Sequence, residues 1–213
     1  MSKVICVMGE SGSGKTTAMR NLNPAETLYI DCDKKGLSWK GWKTRYSKEN
    51  RNYYPGSDVE TILKLLGDAN ANRPEIKHII IDTLNGIMID DEMSRSKEKG
   101  YDKWVDLAQC VWGLISLAHL LRDDLTVIFT AHAQTERDDS GYSFTRIKTS
   151  GKKLDKIVLE SKFTTVLLAK CVDGRYLFET QARNSTAKSP MDAFEAFEVD
   201  NDITKVLLQL EGY

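Results

Sequence analysis

The residues Gly9-Glu10-Ser11-Gly12-Ser13-Gly14-Lys15-Thr16 constrain this chain more than any other stretch. They fit the pattern G-x-x-x-x-G-K-[ST] and directly follow Lys3-Val4-Ile5-Cys6-Val7-Met8, an apolar run that reads as a buried strand. A helix is expected to begin near Lys15 and to end before Pro24. In a strand–loop–helix of this kind the glycines let backbone N–H groups turn toward one anion, and the helix N-terminus adds partial positive charge. On this reading Lys15 reaches the β- and γ-phosphates of a nucleotide and the Thr16 hydroxyl binds Mg²⁺. Gly9, Glu10, Ser11, Gly12, Ser13, Gly14 and Thr17 complete the phosphate cradle.

A phosphate-bound metal needs a second oxygen donor to hold its water shell. Asp82 supplies one, at the C-terminal end of His78-Ile79-Ile80-Ile81. Further short apolar runs, Thr27–Ile30 and Thr126–Thr130, alternate with helical stretches. Ser57 to Glu60 has capping-box spacing and opens a helix to about Asn70. Residues 102–122 make the longest helix, and a last one runs from about Asp202 to Leu210. Phe163–Lys170 and Arg175–Thr180 flank Asp173-Gly174 as a hairpin. The fold class that follows is α/β: a doubly wound, mainly parallel sheet with helices on both faces and a C-terminal β hairpin. The 213 residues suit one domain, with a core over about 1–170 and the hairpin and tail over about 163–213. Cys6, Cys32, Cys110 and Cys171 form no CxxC pair, so they read as reduced, buried thiols. No apolar run reaches the roughly 18 residues of a membrane span.

The chain lacks an N-K-x-D guanine-reading motif, which disfavours a Ras-like GTPase. It is too short for the insertions of motor and transporter ATPases. It starts almost at the phosphate loop, carries Thr130-Ala131-His132 at the end of the strand after Asp82, and leads from a hairpin into Gln181-Ala182-Arg183-Asn184. These features point to a RecA-like core, with His132 at the position of a γ-phosphate sensor. Over residues 3–194 the chain resembles phage-encoded P-loop nucleotide-binding proteins with a minimal RecA-like core, some of which are single-strand annealing proteins. The resemblance rests on the P-loop, Lys34-Lys35-Gly36-Leu37, Trp39-Lys40-Gly41-Trp42, Ile81-Asp82 and Gly100-Tyr101-Asp102-Lys103-Trp104. It continues through Leu121–Val127, Ala131-His132 and Gly151-Lys152-Lys153-Leu154.

That resemblance implies ATP as the nucleotide, turnover to ADP and phosphate, and phage DNA metabolism in the cytoplasm of an infected bacterial cell. It implies single-stranded DNA and a single-strand binding protein as partners. It also implies a ring or filament of subunits with the nucleotide near their interface. RecA-like ATPases polarise the attacking water with a Glu after the second strand, and here the best match is Asp33, one methylene shorter. Related assemblies insert a Lys-x-Arg pair into the neighbouring site. Here the stretch reads Gln181-Ala182-Arg183, which leaves Arg183 as the finger candidate and Lys188 as its helper.

Lys+Arg total 30 against 31 Asp+Glu, which excludes a generally basic nucleic-acid binder but not a local basic face. Residues 34–51 hold seven cations, including Lys40 and Lys43, against Glu49 alone, with Trp39, Trp42 and Tyr46 interleaved. Residues 142–153 hold Arg146, Lys148, Lys152 and Lys153 with Tyr142 and Phe144 and no acid. Cations that track phosphates beside aromatic faces that stack bases suit single strands. The alternative for the first stretch is a basic loop whose tryptophans pack on the core. Residues 94–103, with Arg95, Lys97, Lys99 and Tyr101, are a weaker third candidate. Two other functions stay open: a nucleotide-switched scaffold with little turnover, and a small-molecule kinase, although residues 136–156 carry only two arginines where such a kinase needs a cationic lid.

Overall fold

The structure is a computed structural model that describes residues 1–100, 102–137, 139–150 and 157–213. Its strands are β1 (Lys3–Gly9), β2 (Thr27–Asp31), β3 (Tyr53–Pro55), β4 (His78–Asp82), β5 (Thr126–Arg137), β6 (Ser143–Ile147), β7 (Thr165–Val172), β8 (Arg175–Glu179) and β9 (Glu198–Asp200). The helices are α1 (Trp42–Arg45), α2 (Val59–Asn72), α3 (Leu84–Ser94), α4 (Asp102–His119) and α5 (Ile203–Gln209). The strands form one sheet in the order β3-β2-β4-β5-β1-β7-β8-β9, with β6 paired to the outer half of β5. Strands β3, β2, β4, β5, β1 and β7 run parallel, and β8 and β9 close the far edge antiparallel.

The parallel strands are apolar on both faces, as strands covered by helices on both sides must be. Val4, Cys6, Met8, Ile79, Ile81, Val127 and Phe129 face a core covered by α2, α3 and α4. Ile5, Val7, Ile80 and Ile128 face the other core, with Tyr29, Tyr46 and Phe178 and with Ile203 and Val206 of α5. Strand β5 stands between β1 and β4, and its register aligns Gly9 with His132. Asp31 and Asp82 are register partners on β2 and β4. Gly9, Asp31, Asp82 and His132 therefore share the C-terminal edge of the parallel sheet, where ligands of open α/β sheets bind.

Several expectations need correction. No α-helix follows the P-loop. Thr17–Met19 is a single 3₁₀ turn, and its successors Arg20 and Leu22 also bond three residues back. Asn23 caps a second turn at Pro24, so the stretch is too short to nucleate a stable helix. The cap of α2 is Asp58, whose carboxylate accepts from the Thr61 N–H at 2.8 Å, and Ser57 instead hydrogen-bonds Asp90. Cys6 and Cys32 are buried, but Cys110 and Cys171 are exposed. The strand expected over 126–130 runs on to Arg137, and the hairpin around Asp173-Gly174 is built into the main sheet rather than appended. Tyr101, Lys152 and Lys153 lie outside the described residues.

Candidate nucleotide site

Gly12 and Gly14 adopt φ values of +79° and +92°, which L side chains rarely take, and so the loop can curl around one point. Lys15 is buried and donates from Nζ to the Gly9 carbonyl at 2.9 Å and to the Glu10 carbonyl at 2.7 Å. Burial lowers its pKa to about 8; the Asp82 charge opposes that shift and the Lys35 charge adds to it. Ser13 is buried in the loop, and its hydroxyl has no partner among the described residues. A buried donor of this kind fits a phosphate oxygen. Because the segment after the loop is a single 3₁₀ turn, the expected helix-terminal charge is not available. Loop N–H groups and Lys15 are the groups left to hold an anion.

Asp82 is 1% exposed and forms no ion pair among the described residues. Three hydroxyls hold its charge: Thr16 at 2.8 Å, Tyr29 at 2.6 Å and Thr130. A hydroxyl and a carboxylate side by side form a hard-oxygen pair suited to Mg²⁺. Thr16 and Asp82 are thus the residues that would hold the ion, and when bound it would neutralise phosphate charge. Tyr29 and Thr130 fix the carboxylate's orientation. Sequence reasoning passed over Tyr29, since a tyrosine in an apolar strand reads as core.

Asp33 follows β2, and its carboxylate accepts from the Thr83 hydroxyl at 3.0 Å and pairs with Lys35 at 2.5 Å. The position therefore matches the expectation, but the carboxylate is already engaged. His132 is partly buried, and burial followed by the Lys15 charge lowers its pKa, so the ring is neutral at neutral pH and has one N–H to donate. Asn85 in the first turn of α3 accepts from the His132 backbone N–H at 2.7 Å and donates to the Lys148 carbonyl at 2.9 Å. The Lys148 N–H also bonds the His132 carbonyl at 2.7 Å. Lys35, Thr83 and Asn85 were not singled out from sequence, because nothing local marks them. His78 begins β4, and His119 ends α4 bonded to the Lys162 carbonyl, as structural histidines.

The AAA domain family matches residues 1–191. The chain belongs to that family. A KaiC-like protein of the hyperthermophilic archaeon Pyrococcus horikoshii is a similar solved structure, at 12% identity and a TM-score of 0.44, over 83% of this chain and 76% of that one. No curated protein matches the chain. The AAA-family chain is thus a P-loop NTPase with its phosphate loop, Asp82, Asp33 and His132 gathered at one sheet edge.

The basic, aromatic stretch divides. Tyr46 is buried, and Trp39 and Tyr46 meet Tyr29 edge-on at 6.3 and 5.8 Å. Trp42 packs on Tyr53 at 5.2 Å and against Gly36. Tyr46 is therefore a core residue, and Trp39 and Trp42 are partly buried against that core, as the alternative reading of this stretch expects; Lys40 and Lys43 are exposed. On the second stretch, Tyr142 and Phe144 stack nearly parallel at 6.5 Å, Lys148 is exposed, and Arg146 leans on Glu136 at 3.5 Å. Arg95 of the third candidate is consumed by Asp91, Glu98 and Asp106. Arg183 is exposed and lies 3.9 Å over the Phe197 ring. Among the described residues no helix is long and apolar enough to cross a membrane.

Proposed function

We propose that this ATPase uses Mg²⁺-ATP to control binding of single-stranded DNA along the β5–β6 hairpin, and that it promotes annealing or recombination in phage DNA metabolism. The observation that carries this reading is the short link from nucleotide to hairpin. His132 is the register partner of Gly9 at the start of the phosphate loop, and its backbone is bonded directly to Lys148 and, through Asn85, a second time. Loss of a γ-phosphate that displaces His132 would shift Lys148 and the adjoining end of β6, which carries Phe144 and Arg146. Tyr142 and Phe144 offer stacking faces and Lys148 a phosphate contact. Subunits would meet with Arg183 reaching a neighbour's nucleotide, and the protein would act in the cytoplasm of an infected cell beside a single-strand binding protein.

Fluorescence anisotropy of a labelled oligonucleotide tests this. Binding with a non-hydrolysable ATP analogue should exceed binding with ADP, weaken steeply between 50 and 200 mM salt, and fall in Lys148→Ala. Equal or absent affinity in both nucleotide states refutes it. One observation favours a second reading, a nucleotide-switched scaffold with little turnover. Asp33 is tied to Lys35 and Thr83, so it is not poised to orient water. DNA that raises turnover severalfold would reject that scaffold.

A further inference from the structure

The far side of the P-loop carries a second arrangement, built largely from residues beyond the 1–191 family match. Gly14 is pressed there by two side chains. A methyl group added at its Cα would stand 2.8 Å from Cδ1 of Tyr176 and 3.1 to 3.2 Å from the amide oxygen and nitrogen of Asn201. Thr17, Arg20, Tyr176, Asp200, Asn201, Asp202 and Lys205 enclose an open cavity of about 230 Å³ at this spot. That is below the roughly 300–1,000 Å³ of a site for a whole drug-sized ligand, so the cavity fits the outer part of a ligand whose remainder lies on the adjoining loop.

The walls are held firmly. Arg20 donates to the Asn201 carbonyl at 2.8 Å and to the Thr17 carbonyl at 3.0 Å, which joins the turn after the P-loop to the segment after β9. Asn21 donates to Asp202 at 2.7 Å. Within this frame Asn201 is 5% exposed, and its amide nitrogen has no hydrogen-bond partner among the described residues. Buried amides are ordinarily satisfied, so an unmatched one that lines a cavity points to a ligand. Tyr176 is half-exposed beside it and offers an open ring face. Lys15, Asp82 and Asp33, the candidate phosphate-binding and metal-binding groups, do not line this cavity, which adjoins the loop at Gly14 and Thr17.

We propose that this cavity receives the nucleoside of the bound nucleotide, with its base against Tyr176 and an adenine edge read by the Asn201 amide. An amide offers one donor and one acceptor side by side, which matches the N7 acceptor and N6 donor of adenine. Guanine presents two acceptors at the same edge and leaves the amide oxygen opposed. The segment from β9 into α5 thereby becomes a specificity element of the nucleotide site. The proposal rests on the P-loop reading above.

Competition against a fluorescent ATP analogue separates the two claims. The competitors are ATP, GTP, CTP and inorganic tripolyphosphate, tested on the full-length chain. The wild type should prefer ATP over GTP by tenfold or more. Tyr176→Ala, at a half-exposed position, should weaken ATP on the order of tenfold, as loss of base–aromatic stacking does, with a change of less than twofold for tripolyphosphate. Asn201→Ala should bring the ATP-to-GTP ratio near one. Equal wild-type affinity for ATP and GTP, or equal losses for ATP and tripolyphosphate in Tyr176→Ala, overturns the nucleoside assignment and leaves the P-loop reading intact. No binding of any competitor or of the analogue overturns both.

Discussion

Lys15 makes nucleotide binding sensitive to pH in a range where an ordinary lysine would not. Its pKa stands at about 8 instead of 10.5, chiefly because it is buried among loop carbonyls. A bound phosphate needs the ammonium form, so at high pH binding must first supply a proton. With a pKa of 8 the protonated fraction falls from about 0.76 at pH 7.5 to about 0.03 at pH 9.5, and metal-free affinity for an ATP analogue should fall about 25-fold. An unperturbed lysine would lose only about 10% over the same interval. Nucleotide phosphates, with a second pKa near 6, are ionised across this range and do not contribute. Fluorescence titration in chelator-containing buffer reads the affinity. Calorimetry at pH 9 in two buffers of different ionisation enthalpy should show uptake of close to one proton. Lys15→Ala should bind weakly and without that pH dependence. Stability runs the opposite way: the folded pKa is depressed below the unfolded one, so the unfolded chain holds the extra proton between about pH 8 and 10.5, and the penalty this group places on the fold is relieved as pH rises through that window. A flat affinity from pH 7.5 to 9.5 in the wild type would refute the reasoning.

Three other outcomes follow from the same geometry. Tyr29→Phe and Thr130→Val each remove one donor from the buried Asp82 carboxylate and should each cost about 1.5–3 kcal/mol, the usual range for a hydrogen bond to a charge; urea denaturation with unchanged midpoints would contradict that role. If turnover depends on Asp33, Asp33→Asn should lower it by about 10²–10⁴ and alter nucleotide affinity less than threefold, and steady-state phosphate release that survives the change would remove Asp33 from the chemistry. If Arg183 acts on a neighbour, mixing Arg183→Ala with Lys15→Ala subunits should recover measurable turnover, and no recovery in an assembly shown to mix would count against that contact.

What could be read from the sequence depended on whether the signal was local. The P-loop is a contiguous motif with a fixed flank, and Asp82 ends an apolar run, so both were visible before any fold was known. His132 was visible because it follows the apolar run of the strand after Asp82's; that strand continues to Arg137, and its register sets His132 beside Gly9. The segment around Trp39, Trp42 and Tyr46 left two readings open because composition records which residues are present and not which way they face. The same cations and rings that would suit a single strand also suit a loop that buries its rings on Tyr29 and turns its lysines to water. The discriminating fact was long-range. Tyr29 needs aromatic cover because it carries a hydroxyl into the core to reach Asp82, 53 residues away. The inward aromatics and the nucleotide site are therefore coupled. Trp39 and Tyr46 cover Tyr29, whose hydroxyl reaches the buried Asp82 carboxylate, and in that setting each hydroxyl on Asp82 counts for more than it would in water. A substitution that lets water reach Tyr29, such as Trp39→Ala, should weaken metal-dependent nucleotide binding more than metal-free binding, although Trp39 lies in a stretch that composition alone assigns to DNA.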